Sequence, residues 1–221
     1  MSTKVWKTPI EVANRLDDLG LKLESLVEVV EAMVRAKAEC TDNDPIGSQG
    51  WSAYKMGTRR LREVTLTQEG WEKDETDQIA SALNRKLGIR VAVSNTDDAT
   101  GIDEKGREPQ NRSKKGAATD RAIQSNQLSF IDVLDASLKV IPLDRLRQKP
   151  SSIVTWYVCV YSEGDEYRGE LACPIGIQAG FYTGFVERIF LIGKDPSDGG
   201  AARRGSGGDG PEFDIPVTRK K

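Results

Sequence analysis

Histidine is absent from all 221 residues of this chain. Imidazole is therefore unavailable as a general base, a zinc ligand or a pH switch. Ser-His-Asp and Cys-His catalysis cannot be assembled from the chain alone. Cysteine is scarce. Cys40, Cys159 and Cys173 fit no Cys-x-x-Cys spacing, and an odd count with no secretory leader points to reduced thiols in a cytosol. Cys159 and Cys173 sit in apolar, strand-like runs and read as small buried hydrophobes. No apolar run approaches the roughly 18 residues that a membrane span needs. The first seven residues lack the apolar core and cleavage site of a signal peptide. The expected setting is cytoplasmic, with no membrane partner. Neither sign of charge is in excess, since 32 basic against 34 acidic residues leave a net charge of −2. No global field steers the protein toward nucleic acid, so any such binding must come from a local patch.

What is present describes an α+β protein: a long N-terminal amphipathic helix, a mainly antiparallel sheet, and one or two further helices. Thr8, Pro9 and Glu11 form a capping box with proline at the first helical position. Val12, Leu16, Leu19, Leu23, Leu26, Val30 and Met33 then recur at three- and four-residue steps. The spacing predicts one helix from Thr8 to about Cys40, weakened at Gly20 by about 1 kcal/mol relative to Ala. Gly20 can also mark a bend, and the stripe has two uses: packing within a bundle or onto the protein's own sheet, or a homodimer seam through residues 12–34. This gives an organisation of 1–41 as the helix, 42–193 as an α+β core, and 194–221 as a flexible Gly-rich segment with an edge strand over Phe213–Val217.

Within the core, residues 46–70 read as a short helix followed by a strand. Asp77–Leu87 reads as a helix stopped by Gly88, and Ile89–Val93 alternates as a strand. Residues 95–122 form a polar loop, long enough to suggest a function. A helix follows from Gln127 to Val140 and ends at Pro142. Ile153–Tyr161 and Glu166–Ala172 make a hairpin around Glu163-Gly164-Asp165, and Phe185–Ile192 supplies a third strand.

Two clusters carry the local positive charge. Lys55, Arg59, Arg60 and Arg62 stand in a window, 51–62, that has no acidic residue. Arg107, Arg112, Lys114, Lys115 and Arg121 stand together with only Glu108 and Asp120 against them. Guanidinium and ammonium groups interleaved with Asn, Gln and Ser suit phosphate contacts. Asn111–Gly116 is the densest donor run, but it lacks the spacing of a phosphate-binding P-loop. Asp97 and Asp98 follow a strand, and Glu166 and Glu170 share a strand face. Asp97, Asp98 and Glu170 are thus the candidate ligands for a Mg²⁺-dependent nuclease. Glu170 is followed by Leu171 and Ala172, however, where a Glu-x-Lys nuclease carries lysine. Trp156, Tyr157 and Tyr161 read as core, with base stacking as the alternative.

Three stretches, Trp51–Trp71, Ile89–Arg121 and Thr155–Pro174, resemble a family of uncharacterised proteins carried by bacterial prophages and related mobile elements. The resemblance covers about a third of the chain. It implies a bacterial cytoplasmic setting and phage or host-defence biology, and it supplies no catalytic residue. The leading reading is a non-enzymatic binding protein without a cofactor, which contacts nucleic acid, a nucleic-acid-handling protein or an acidic protein surface through its basic clusters. A carboxylate-only nuclease and a structural oligomer are the alternatives.

Overall fold

The structure is a computed structural model that describes residues 3–138 and 153–193, without the side chains of 128–138. The expected helix end at Val140 and the expected edge strand at Phe213–Val217 lie outside the described residues. The element order is β1 (Lys4–Trp6), α1 (Pro9–Asp18), α2 (Leu23–Ala38), α3 (Ser48–Thr65), β2 (Trp71–Asp74), β3 (Ser81–Asn84), β4 (Ile89–Asn95), α4 (Ala117–Leu138), β5 (Val154–Glu163), β6 (Glu166–Gln178) and β7 (Phe181–Ile192). The strands form one seven-stranded sheet in the order β1-β7-β6-β5-β4-β3-β2. Two of its pairings, β1 with β7 and β4 with β5, are parallel, and the rest are antiparallel. The α+β expectation therefore holds, and so does the central hairpin.

The expected single N-terminal helix is two short ones. Thr8 caps α1 as its sequence implies: its side chain accepts from the Glu11 backbone N–H, and Pro9 takes the first turn. Termination comes at Leu19. The Gly20 N–H donates to the Asp17 carbonyl, and the Leu21 N–H reaches back to the Leu16 carbonyl. This pair of bonds is a Schellman motif, with Gly20 in the left-handed region at φ +64° and buried Leu21 as the apolar residue that follows it. Gly20 thus ends one helix, whereas the sequence reading has it weaken or bend a single one.

Both helices and α3 lie on one face of the sheet. Val12, Leu16, Leu19, Leu26, Val30 and Met33 share a single buried cluster with Trp156, Val158, Leu171 and Ile189. The stripe packs on the protein's own sheet, and these side chains are not available as a homodimer seam. Met33 fits against Gly57 of α3. A Cβ on Gly57 would stand 2.3 Å from Met33 Cγ, so glycine is what allows the two helices to approach. The helix α3 runs through Val64, where the sequence suggests a strand.

The opposite face carries a second cluster of Ala92, Ile123, Tyr157, Cys159, Tyr182 and Phe185. It is covered by α4 and by the 96–116 segment. Because both faces are covered, a strand buries successive residues instead of alternating. Ser81, Ala82, Leu83 and Asn84 are all buried. That is why Asp77–Leu87 imitates a helix in sequence. It is a short 3₁₀ turn over Thr76–Gln78, then β3 and a turn in which the Leu87 N–H donates to Asn84 Oδ1. Gly88, at φ +68°, closes the β3–β4 hairpin. The polar loop is shorter than expected, since α4 already begins at Ala117. Among the described residues, no helix is long and apolar enough to cross a membrane.

Gly20→Ala separates a broken helix from a continuous one. In a continuous helix, alanine would stabilise by about 1 kcal/mol. Here the left-handed backbone reverses the sign, and Leu87 Cδ1 lies 2.7 Å from where a Cβ would stand. The variant should lose roughly 1–2 kcal/mol, read as a lower urea midpoint at unchanged slope.

Candidate functional site

Most of the predicted positive surface is already neutralised. Arg59 pairs with Glu63 at 2.8 Å. Arg60 is held by Glu28 of α2 and, at 3.1 Å, by Glu63. Arg62 donates to the backbone carbonyls of Asp74 and Ser81 at 2.9 and 3.2 Å and also meets Glu75, which fastens α3 to the β2–β3 edge. Arg107 lies between Asp98 and Glu104 at 2.7 and 3.2 Å. Arg121 pairs with Asp77 at 2.9 Å. Lys55 and Lys114 remain exposed. Lys115 turns inward, and burial pushes its ammonium below the usual lysine range.

The candidate carboxylates are engaged as well. Glu170 is fully buried. Its two oxygens accept from Nε and Nη2 of Arg188 at 2.8 Å each, and it also accepts from the Gly101 N–H at 2.7 Å. Asp97 Oδ1 accepts from the backbone N–H groups of Ala99 and Gln110, while Asp98 pairs with Arg107. Among the described residues, no three His, Cys, Asp or Glu side chains come together as metal ligands would. Trp156, Tyr157 and Tyr161 are all buried, so these three rings offer no face to a base.

A different feature brings two cations from distant segments together. The parallel strands β4 and β5 end side by side, and a cleft of about 430 Å³ opens beyond their carboxyl ends. Its walls include Lys37 from the last turn of α2, Asp42 and Asp44 from the α2–α3 connection, Ser48 at the start of α3, and Arg112 and Ser113 from the polar loop. The start of α3 has no side-chain cap; the Ser48 N–H is taken by the Pro45 carbonyl, and the positive end of the helix dipole lies at this wall. Asn95 of β4 donates to the Gly50 carbonyl at 2.9 Å and holds that end of α3 against the sheet.

Local pairing explains why Arg112 arrives there. The Thr96 N–H donates to the Val160 carbonyl, extending the β4–β5 ladder. The Asp97 N–H then takes Gln110, and the Arg112 N–H takes Asn95. Asn111 is buried and bonded to the Tyr182 N–H and the Gly180 carbonyl. The side chain of Arg112 anchors Nε on the Thr96 carbonyl at 3.1 Å and lies over the Tyr161 ring at 5.5 Å. Glu163 stands 3.7 Å from its guanidinium. The Lys37 amino group donates to the Ser162 carbonyl. Burial, and after it the positive charge of Arg112, holds Lys37 below the usual lysine range. Lys37 escapes the sequence reading because it lies on the polar side of an apolar-periodic helix, 75 positions before Arg112. No short-range signal links the two.

Glu170→Gln should cost about 3–5 kcal/mol, because it leaves Arg188 buried and charged without a counter-ion. Thermal melting would measure it. Millimolar Mg²⁺ or Mn²⁺ should leave the wild-type Tm unchanged, and a rise abolished by Asp97→Ala would instead restore the carboxylates as ligands.

With this geometry in hand, no family model, no curated protein and no solved structure matches the chain.

Proposed function

We propose that the protein is a non-enzymatic nucleic-acid-binding protein that holds the phosphate backbone at the cleft beyond the carboxyl ends of β4 and β5. The convergence of Lys37 and Arg112 on the uncapped start of α3 carries this reading. Like charges held close repel each other, and an anion between them relieves that repulsion. Helix N-termini add backbone donors of the right sign for phosphate. Lys114, exposed two residues after Arg112, extends the same positive rim. The other predicted contacts, Arg59, Arg60, Arg62, Arg107 and Arg121, act in this reading as structural ion pairs.

The setting follows the resemblance in the three stretches. A mobile-element-borne protein of a bacterial cytoplasm meets nucleic acid routinely. Cys40, Cys159 and Cys173 are all free thiols, which suits a reducing compartment.

Fluorescence anisotropy with labelled DNA and RNA tests the reading. Binding at low salt should weaken on a log–log plot as salt is added, with a slope that reflects the number of phosphates neutralised. Replacing Arg112 and Lys114 together by Ala should weaken binding. It should also flatten the slope by about 0.7 for each phosphate of a single strand that is no longer neutralised. The melting temperature should hardly change. Absence of binding at low salt removes the proposal. Capture of an acidic protein that the double variant no longer retains would point to a protein surface instead.

A further inference from the structure

The cleft has a neighbour. Against Lys37 and Arg112 also lies a second hollow of about 380 Å³, walled by Cys40, Glu163 and Gly164 as well. The two hollows share Lys37, Gln49, Arg112 and Ser162. The two cations are therefore a neck between two spaces, each with room for one nucleoside. The shared backbone carbonyl of Ser162 holds the Lys37 amino group in place. The Thr96 carbonyl and the Tyr161 ring do the same for Arg112. Both cations are thus fixed before any ligand arrives.

Resting on the nucleic-acid reading above, we propose that the paired hollows take two consecutive nucleotides of a single strand, with the phosphodiester that joins them held at the Lys37–Arg112 neck. Charge is distributed as such a ligand requires. Positive groups meet at the centre, where the phosphate would lie. Acidic groups line both hollows, Asp42 and Asp44 the first and Glu163 the second, where it lies 3.7 Å from Arg112 and must give way to a phosphate. Carboxylates there would repel a second phosphate, but they accept hydrogen bonds from sugar hydroxyls and from the amino groups of bases. The first hollow also has apolar surface. Ile46 lines it fully exposed, a surface against which a base can pack. A duplex turns its bases inward and has none to place in either hollow.

The test compares a labelled single-stranded oligonucleotide with the same sequence as a duplex, using full-length protein at low salt. The single strand should bind at least tenfold more tightly. Arg112→Gln and Lys37→Gln should each reduce single-strand affinity by tenfold or more. Glutamine at 37 keeps an amide that can still donate to Ser162. Wild-type protein supplies a measurement independent of variant folding: a dinucleoside monophosphate should bind by calorimetry more tightly than either nucleoside 5′-monophosphate. Equal affinity for single strand and duplex, or a dinucleotide no better than a mononucleotide, would overturn the two-nucleotide site and leave the nucleic-acid reading standing. No binding of any nucleic acid would overturn both.

Discussion

Glu170 and Arg188 are taken out of water together, on neighbouring strands, and neither charge would be stable there alone. Burying a carboxylate and a guanidinium costs several kcal/mol each. The cost is offset because the pair is bidentate and both partners have further hydrogen bonds. Glu170 also accepts from Gly101, and Arg188 also donates to the carbonyls of Ala99 and Arg107. Those extra partners all belong to the segment after β4. The ion pair is therefore the point at which that segment is tied to the sheet. Arg168 repeats the device one pleat away and donates to the Thr100 and Asp98 carbonyls at 2.7 Å each. A chain that turns back over buried arginines must return along β4. It does so through Gln110, Asn111 and Arg112. The position of Arg112 at the cleft is set by charges that never reach solvent.

This arrangement separates two kinds of arginine that composition cannot distinguish. Arg62, Arg168 and Arg188 donate to backbone carbonyls or a buried carboxylate, Arg90 forms an ion pair with buried Asp74, and all four act as fasteners. Arg59, Arg60, Arg107 and Arg121 sit in exposed pairs, each worth little to stability. Of the arginines in the two basic clusters, Arg112 is the one that combines backbone anchoring with an open hollow. The near-zero net charge is thus largely the result of local matching, side chain by side chain, and at the cleft the match is the long 3.7 Å pair of Arg112 with Glu163.

Strong local signals are legible in the sequence. Thr8 and Pro9 start a helix because capping depends on adjacent residues. The Val154–Gln178 hairpin follows from β-branched and aromatic density around Gly164. Elsewhere, tertiary contacts decide. Gly20 is visible, but its role as a terminator depends on Leu21 finding a core. Ser81–Asn84 carries no period because the sheet is covered on both sides. The basic window at 51–62 ends one residue before Glu63, and the partner of Arg60 on α2 lies 32 residues away. Glu170 reads with its strand neighbour Glu166, although its counter-ion stands on the next strand, 18 positions later. The cleft itself is out of reach, because Lys37 and Arg112 meet only after helices and strands between them are in place.

The parallel edge of the sheet has a consequence for how the chain is made. β1 pairs with β7, so Lys4 waits for Glu187. The apolar faces of α1 and α2 likewise rest on β5, β6 and β7, which come last among the described strands. At about 5–20 residues per second, a ribosome needs roughly ten to thirty seconds to pass from the end of α2 to the end of β7. Throughout that interval the stripe of Val12, Leu16, Leu26, Val30 and Met33 lacks the complete sheet that covers it in the finished fold. Its first partner in time is α3, through the notch at Gly57. The helical layer is therefore a provisional shelter for the nascent chain before it becomes one wall of the finished core.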